Sequence, residues 1–124
     1  MIDLAVLYGV LRGVATSKGI ISHEDLSRLY HEATGNWHEP QGSWDVSLAE
    51  LNGHSRAAGL PPISAVVAGR PRRDDNFEPP TSGFWGSPGV PAMPRKAADR
   101  LLVWMGFVNL THQAAWPETL AGLG

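Results

Sequence analysis

The sequence predicts a single α+β domain spanning residues 1–124, in the order helix, short strand, helix, helix, strand, long loop, helix. Apolar residues recur at helical spacing in four separate segments. The run ISAVVA at 63–68 is short, apolar and partly β-branched, as expected for a strand buried on both faces. The length suits one hydrophobic core, and the absence of cysteine excludes disulfides and thiolate metal sites.

The first predicted helix covers residues 2–17 and stops before Gly19, after which Ile20 and Ile21 suit a very short strand. Its apolar stripe consists of Leu4, Leu7, Leu11 and Val14. The second helix begins after Ser22, a typical N-cap residue, and ends at Gly35.

The third predicted helix starts at about Trp44 and ends at Gly59, because Pro61 and Pro62 forbid its continuation. The last helix covers about residues 95–115, and the tail that follows is expected to be loose. The apolar face predicted for this last helix consists of Ala97, Leu101, Trp104, Val108 and Ala115.

Residues 69–94 form a long loop with six prolines, and a further strand is possible at 82–85. Loops of this length without secondary structure are uncommon in compact domains and usually have a function. This loop follows the predicted strand at 63–68, so the order of elements is that of a winged helix with an elaborated, proline-rich wing.

Three segments in the same order resemble the DNA-binding domain of the alkylguanine alkyltransferases and their cysteine-free alkyltransferase-like relatives. Residues 21–26 (ISHEDL) are similar to the helix start T/S-Y-x-x-(I/L), and residues 60–67 (LPPISAVV) to the strand entry I-P-C-H-R-V-V. Residues 83–86 (GFWG), with 95–96 (RK) and 101–102 (LL), are similar to the wing end and the helix that follows it. The resemblance implies a winged helix whose second and third helices form a helix-turn-helix.

The chain departs from that family at every residue that handles the alkylated nucleotide. Pro62, Ile63 and Ser64 occupy the positions of the nucleophilic cysteine, the activating histidine and the following arginine. Asp45 falls near the arginine that props displaced DNA, and His23 takes the place of the phosphate-turning tyrosine. The resemblance therefore implies binding without alkyl transfer.

Residues 60–67 (LPPISAVV) are also similar to a segment found in a set of small proteins of unknown function from bacteria, phages and mobile elements. Those proteins follow a comparable strand with a Gly-Phe wing. This second resemblance implies no activity.

Nucleic acid is the first candidate partner, although the net charge of −2 argues mildly against a generic nucleic-acid binder. Residues 1–55 hold three basic and seven acidic side chains, whereas residues 56–100 hold seven basic and four acidic ones, so an anion-facing surface is expected in the second half. The predicted nucleic-acid-binding residues lie on the second and third helices and on the wing: His23, His54, Ser55, Arg56, Arg70, Arg72 and Arg73.

The alternative is a protein–protein interaction module, such as a phage-encoded inhibitor or adaptor that acts on a host protein. Trp37 and Trp44 flank the polar turn before the third helix, and Asp45 adds acidic character there. Tryptophans are common anchors of protein interfaces.

An enzyme is the third hypothesis and the least favoured one. No serine lies in a G-x-S-x-G elbow, no glycine-rich phosphate loop occurs, and His23 and His31 are spaced by eight residues, which does not suit one metal site. We therefore expect no cofactor and no metal. The apolar start of the chain lacks the basic region of a signal peptide and is interrupted by Gly9 and Arg12, so we expect a cytoplasmic protein without a membrane span.

Overall fold

The computed structural model describes residues 2–40, 44–69, 77–80 and 83–123. Within these ranges the protein consists of four α-helices and one short 3₁₀ helix. The α-helices are α1 (Leu4–Thr16), α2 (His23–Thr34), α3 (Asp45–Ala57) and α4 (Ala97–Gln113). The predicted α+β class is wrong, because the described part of the chain contains no strand and only isolated β-bridge positions, such as the bridge between Ile21 and Val67.

The predictions for the first two helices are confirmed, and their ends have clear physical causes. Asp3 caps α1 by accepting hydrogen bonds from the backbone amides of Ala5 and Val6, at 3.1 and 3.2 Å. Ser22 caps α2 through a 3.0 Å bond from the amide of Asp25. Gly35 ends α2 in a left-handed conformation with φ of 78°, which favours glycine.

The segment predicted as a strand at 63–68 is instead a 3₁₀ helix at Ile63–Val66, and this segment is central to the fold. It contacts α1, α3 and α4, and all four of its residues are buried. Its only strand-like pairing is at its end, where the amide of Ile21 donates to Val66 and the amide of Ala68 donates to Ile21, at 2.9 and 2.8 Å. A short apolar run buried from every side does not need to be extended, which is why its composition misled the prediction.

Two apolar clusters lie on opposite sides of the 3₁₀ helix. The first joins α1, α2 and α3 with Ile63 and Val66, and it also includes Trp116 and Leu120 of the tail. The second joins Ala65 and Ala68 to α4 and to residues 84–90. The tail that follows α4 is therefore packed, contrary to the prediction: Arg12 Nε donates to the Trp116 carbonyl at 3.2 Å, and the Tyr8 hydroxyl donates to the carbonyl of Pro117.

The predicted wing is wrong in the part of the loop that the structure describes. Gly83 to Gly86 form a turn rather than a strand, and the turn is pinned to the second cluster by Phe84 and Trp85. The amide of Gly69 donates to the Glu78 carbonyl at 2.9 Å, so the chain returns to its starting point after residues 70–76. Arg70, Arg72 and Arg73 lie outside the described residues.

Candidate functional site

A narrow cleft lies where the N-terminal ends of α2 and α3 meet the turn at 83–86. Its polar lining comes from His23, Asp45 and Ser64, and its other walls are Leu48, Val67, Pro80, Gly83 and Phe84. The cleft is open to solvent, and the space between its walls holds roughly one water molecule. A substrate would therefore need the walls to separate before it entered.

The carboxylate of Asp45 lies against the backbone of the turn. A Cβ atom built on Gly83 would lie 2.2 Å from Asp45 Cγ, so only glycine permits this approach. Asp45 is also the first residue of α3, where a negative charge interacts favourably with the helix dipole. Asp45, which falls near the position of the family's DNA-propping arginine, thus packs against the turn at 83–86 instead.

The cleft brings a serine, a histidine and an aspartate together but does not connect them. Ser64 Oγ accepts a hydrogen bond from Asn52 Nδ2 at 2.7 Å. Among the described residues, no hydrogen bond joins Ser64 to His23 or His23 to Asp45. Nucleophilic catalysis requires these contacts, so the arrangement gives no support to a hydrolase.

A buried polar network behind the cleft was missed by the sequence analysis. Asn52 Nδ2 donates to Ser64 Oγ and to Ser87 Oγ, at 2.7 and 3.0 Å, and Asn52 Oδ1 accepts from the Ser64 amide at 3.1 Å. Ser87 Oγ in turn donates to the Phe84 carbonyl at 2.6 Å. This network ties α3, the 3₁₀ helix and the 84–90 segment together. The only sequence signal for this network was the position of Asn52 within α3. It lies on the side that faces the core, close to Leu48, Leu51 and Ser55.

The residues predicted to bind nucleic acid are not assembled into one surface within the described ranges. His23 lies in the cleft, whereas His54 is on α3 and lies against Gly122 of the tail. Ser55 is fully buried and donates to the Leu51 carbonyl, so its hydroxyl does not face solvent. Arg56 is exposed at the end of α3.

Two further arginines are paired with acceptors of this chain. Arg28 lies between Asp25 and Glu32, at 3.1 and 3.6 Å, and its hydrogen bond to Asp25 raises the pKa of the Arg28 guanidinium. Arg100 binds the carbonyls of Pro94 and Arg95, at 2.7 and 2.8 Å. The exposed basic residues that remain in the described ranges are Lys18, Arg56, Arg95 and Lys96.

The residues predicted to bind a protein are divided between the core and the surface. Trp44 is fully buried, and its indole N–H donates to Ser27 Oγ at 2.9 Å. Trp37 is 53% exposed, although its indole N–H donates to Glu39 Oε1 at 3.1 Å. Asp45 lies in the cleft described above. Trp37 is thus the member of this set that a partner could reach.

The largest exposed apolar surface on one element is the outer face of α4. The inner face of this helix is filled by Trp104, Val108 and Thr111, all buried. Leu101, Leu102 and Leu110 are 47%, 73% and 55% exposed. Leu102, Gly106 and Leu110 follow one another at intervals of four residues and lie on one side of the helix, and we define these three residues as the outer face of α4. Leu101 points about 100° away from Leu102 and lies outside this face. The sequence analysis placed Leu101 in the core, together with Ala97 and Ala115, but all three are exposed.

No described helix combines the length and the apolar character needed to cross a bilayer. In the described ranges, no group of three or more histidine, aspartate or glutamate side chains is arranged to hold a metal ion. Comparisons with protein-family models, curated proteins and solved structures found no match to this chain. The resemblance to the alkyltransferase-like proteins therefore stays a prediction.

Proposed function

We propose that this chain is a non-enzymatic binding protein that acts by contact between the outer face of α4 and a partner protein. One observation supports this proposal: Leu102 and Leu110 remain exposed on α4 after the core is complete, on the side away from the buried Trp104 and Val108. Exposed apolar patches rimmed by polar residues mark interaction surfaces, and Asp99, Asn109 and Gln113 are the exposed polar residues of this helix. A location in the cytoplasm, expected from the cysteine-free composition, is part of this proposal.

The outer face is large enough to contribute substantially to binding. Fully burying a leucine stabilises by about 1.5–3 kcal/mol, so covering Leu102 and Leu110 at their present exposures is worth about 2–4 kcal/mol in total. This gain corresponds to roughly thirtyfold to a thousandfold in affinity before the entropy of association is subtracted. The two leucines would therefore be the central anchors of an interface, with polar contacts around them.

The competing proposal is nucleic-acid binding through the basic second half of the chain. The arginines at positions 70, 72 and 73 support it by sequence, but they lie outside the described residues. Ser55, which was expected to contribute, is buried. The outer face of α4 is apolar and gives phosphate no partner, so the two proposals use different surfaces.

The test is affinity capture from an extract of the native host with the tagged chain, followed by reconstitution from purified components. L102K/L110K should lose the partner, because two charges would be buried without counter-charges. The matched control is V46K on α3, where Val46 is 71% exposed, and it should capture the partner as the wild type does. Both substitutions are at exposed positions, so the stability of each variant should change by less than about 0.5 kcal/mol.

The proposal fails if no purified partner binds, or if capture does not depend on the outer face of α4. Mobility-shift assays with duplex and single-stranded DNA at about 50 mM salt test the competing proposal. A shift that weakens with salt, and that R72A/R73A abolishes while L102K/L110K leaves it intact, would favour nucleic acid instead.

A further inference from the structure

We infer that the partner on the outer face of α4 is a second copy of this chain, docked as an antiparallel helix pair with a two-fold axis at Gly106. This inference rests on the proposed function above and names the partner. Its basis is that both the spacing of the apolar residues and the distribution of charge along α4 are self-complementary.

The spacing of the leucines suits a two-fold axis. Leu102 and Leu110 each lie four residues from Gly106, or about 6 Å along the helix axis. In an antiparallel pair centred on Gly106, Leu102 of one copy therefore lies level with Leu110 of the other. A Cβ atom built on Gly106 would have no neighbour within 4 Å, so the centre of this face is open to a second helix. A two-fold interface needs a patch that matches itself in this way.

The charges at the two ends of α4 favour the antiparallel orientation. Arg95 and Lys96 are exposed at the N-terminal end, which already carries the positive end of the helix dipole. The exposed Asp99 in the first turn offsets one of these charges, and Arg100 keeps this end basic. The C-terminal end carries the negative end of the dipole and is followed by the exposed Glu118. An antiparallel pair places each basic end beside a partner's negative end, whereas a parallel pair would place like charges together.

The size of the face predicts a weak dimer. Stable interfaces bury about 800 Å² on each partner, whereas a helix of this length, about 25 Å long and 10 Å wide, offers roughly 300 Å² of footprint. Interfaces of the standard size bind at micromolar concentration or more tightly, so a smaller one should have a dissociation constant above roughly 1 µM. The dimer is expected to form and dissociate with concentration.

The test is sedimentation equilibrium of the purified full chain between about 5 and 500 µM, a range chosen for a weak interface. The wild type and V46K should shift from monomer to dimer across this range. L102K/L110K and L102E/L110E should each stay monomeric alone and form a one-to-one heterodimer when mixed. L102K/L110E should still dimerise, because the antiparallel pair places each introduced lysine beside an introduced glutamate.

Three results would overturn the inference: a wild type that stays monomeric throughout, a dimer that survives in L102K/L110K, or a mixture that forms no heterodimer. A parallel pair would be indicated if L102K/L110K and L102E/L110E formed a heterodimer when mixed while L102K/L110E failed to associate. That result would also overturn the inference. A monomeric wild type that still captures another protein through α4 would end this inference while leaving the proposed function intact. If the wild type stays monomeric and also captures no partner, both this inference and the proposed function fail.

Discussion

The buried Asn52 network provides the sharpest stability prediction, with N52A as the perturbation. The substitution removes three hydrogen bonds, each worth about 1 kcal/mol, and leaves the buried Ser64 amide without its acceptor, which costs about 1–2 kcal/mol more. Alanine regains about 0.5 kcal/mol through its higher helix propensity. We therefore expect N52A to lose about 3.5–4.5 kcal/mol of unfolding free energy, out of a total of about 5–15 kcal/mol for a domain.

Urea denaturation followed by circular dichroism measures this loss. With a denaturant slope of about 1.5 kcal/mol per molar, the midpoint should fall by about 2–3 M. The matched control is N109A, which removes an exposed asparagine from α4 and gains the same helix propensity, so it should lose no stability. Hydrogen exchange of the Ser64 amide should accelerate in N52A only. A difference of less than about 1 kcal/mol between the two variants would refute the reasoning.

Three further predictions follow from single contacts. G83A should lose about 1–3 kcal/mol of unfolding free energy, because its Cβ atom would meet the Asp45 carboxylate. The loss should be smaller when G83A is combined with D45A, so additive losses of the two substitutions in urea denaturation would contradict this prediction. G13A should gain about 0.5–1 kcal/mol of unfolding free energy, because Gly13 is helical and a Cβ atom there would have no neighbour within 4 Å. A lower midpoint of thermal denaturation in G13A than in the wild type would contradict this prediction. Burial raises the pKa of the Tyr8 phenol, and the nearby Arg12 opposes this shift in part. The stability that the neutral phenol contributes is therefore complete below about pH 10 and declines as the pH rises through the raised pKa. Y8F should flatten this decline of stability with pH, and parallel stability profiles of Y8F and the wild type would refute the prediction.

The helices were predictable because their signals are local. Ser22 caps the first turn of α2, and Gly35 ends that helix with a positive φ. None of these features depends on the rest of the fold, so a single sequence reveals them. Helix α3 was also predicted from its apolar spacing, and Gly59 follows it with φ of 74°.

The central segment was not predictable in the same way, because its shape depends on distant residues. The amide of Ser64 donates to Asn52, which is 12 residues earlier, and the carbonyl of Ala65 accepts from Trp104 Nε1, which is 39 residues later. Composition indicated burial correctly, since Ile63 and Val66 are fully buried. It could not show that side chains, rather than neighbouring strands, satisfy the backbone. The same limit applies to the tail, which packs because Trp116 and Leu120 complete a core formed by other elements.

The outer face of α4 shows why the candidate site depended on the structure. Helical spacing alone could not decide which of two apolar sides of α4 faces the core. Two polar contacts fix the rotation of this helix: Trp104 Nε1 donates to the Ala65 carbonyl at 2.9 Å, and Thr111 Oγ1 lies 3.3 Å from the Pro62 carbonyl. Because both acceptors belong to the central segment, turning Leu102 inward would carry Trp104 toward the surface and leave the buried carbonyl of Ala65 without its side-chain partner. The exposure of Leu102 and Leu110 is therefore enforced by the core, which makes the outer face a persistent surface rather than a transient one.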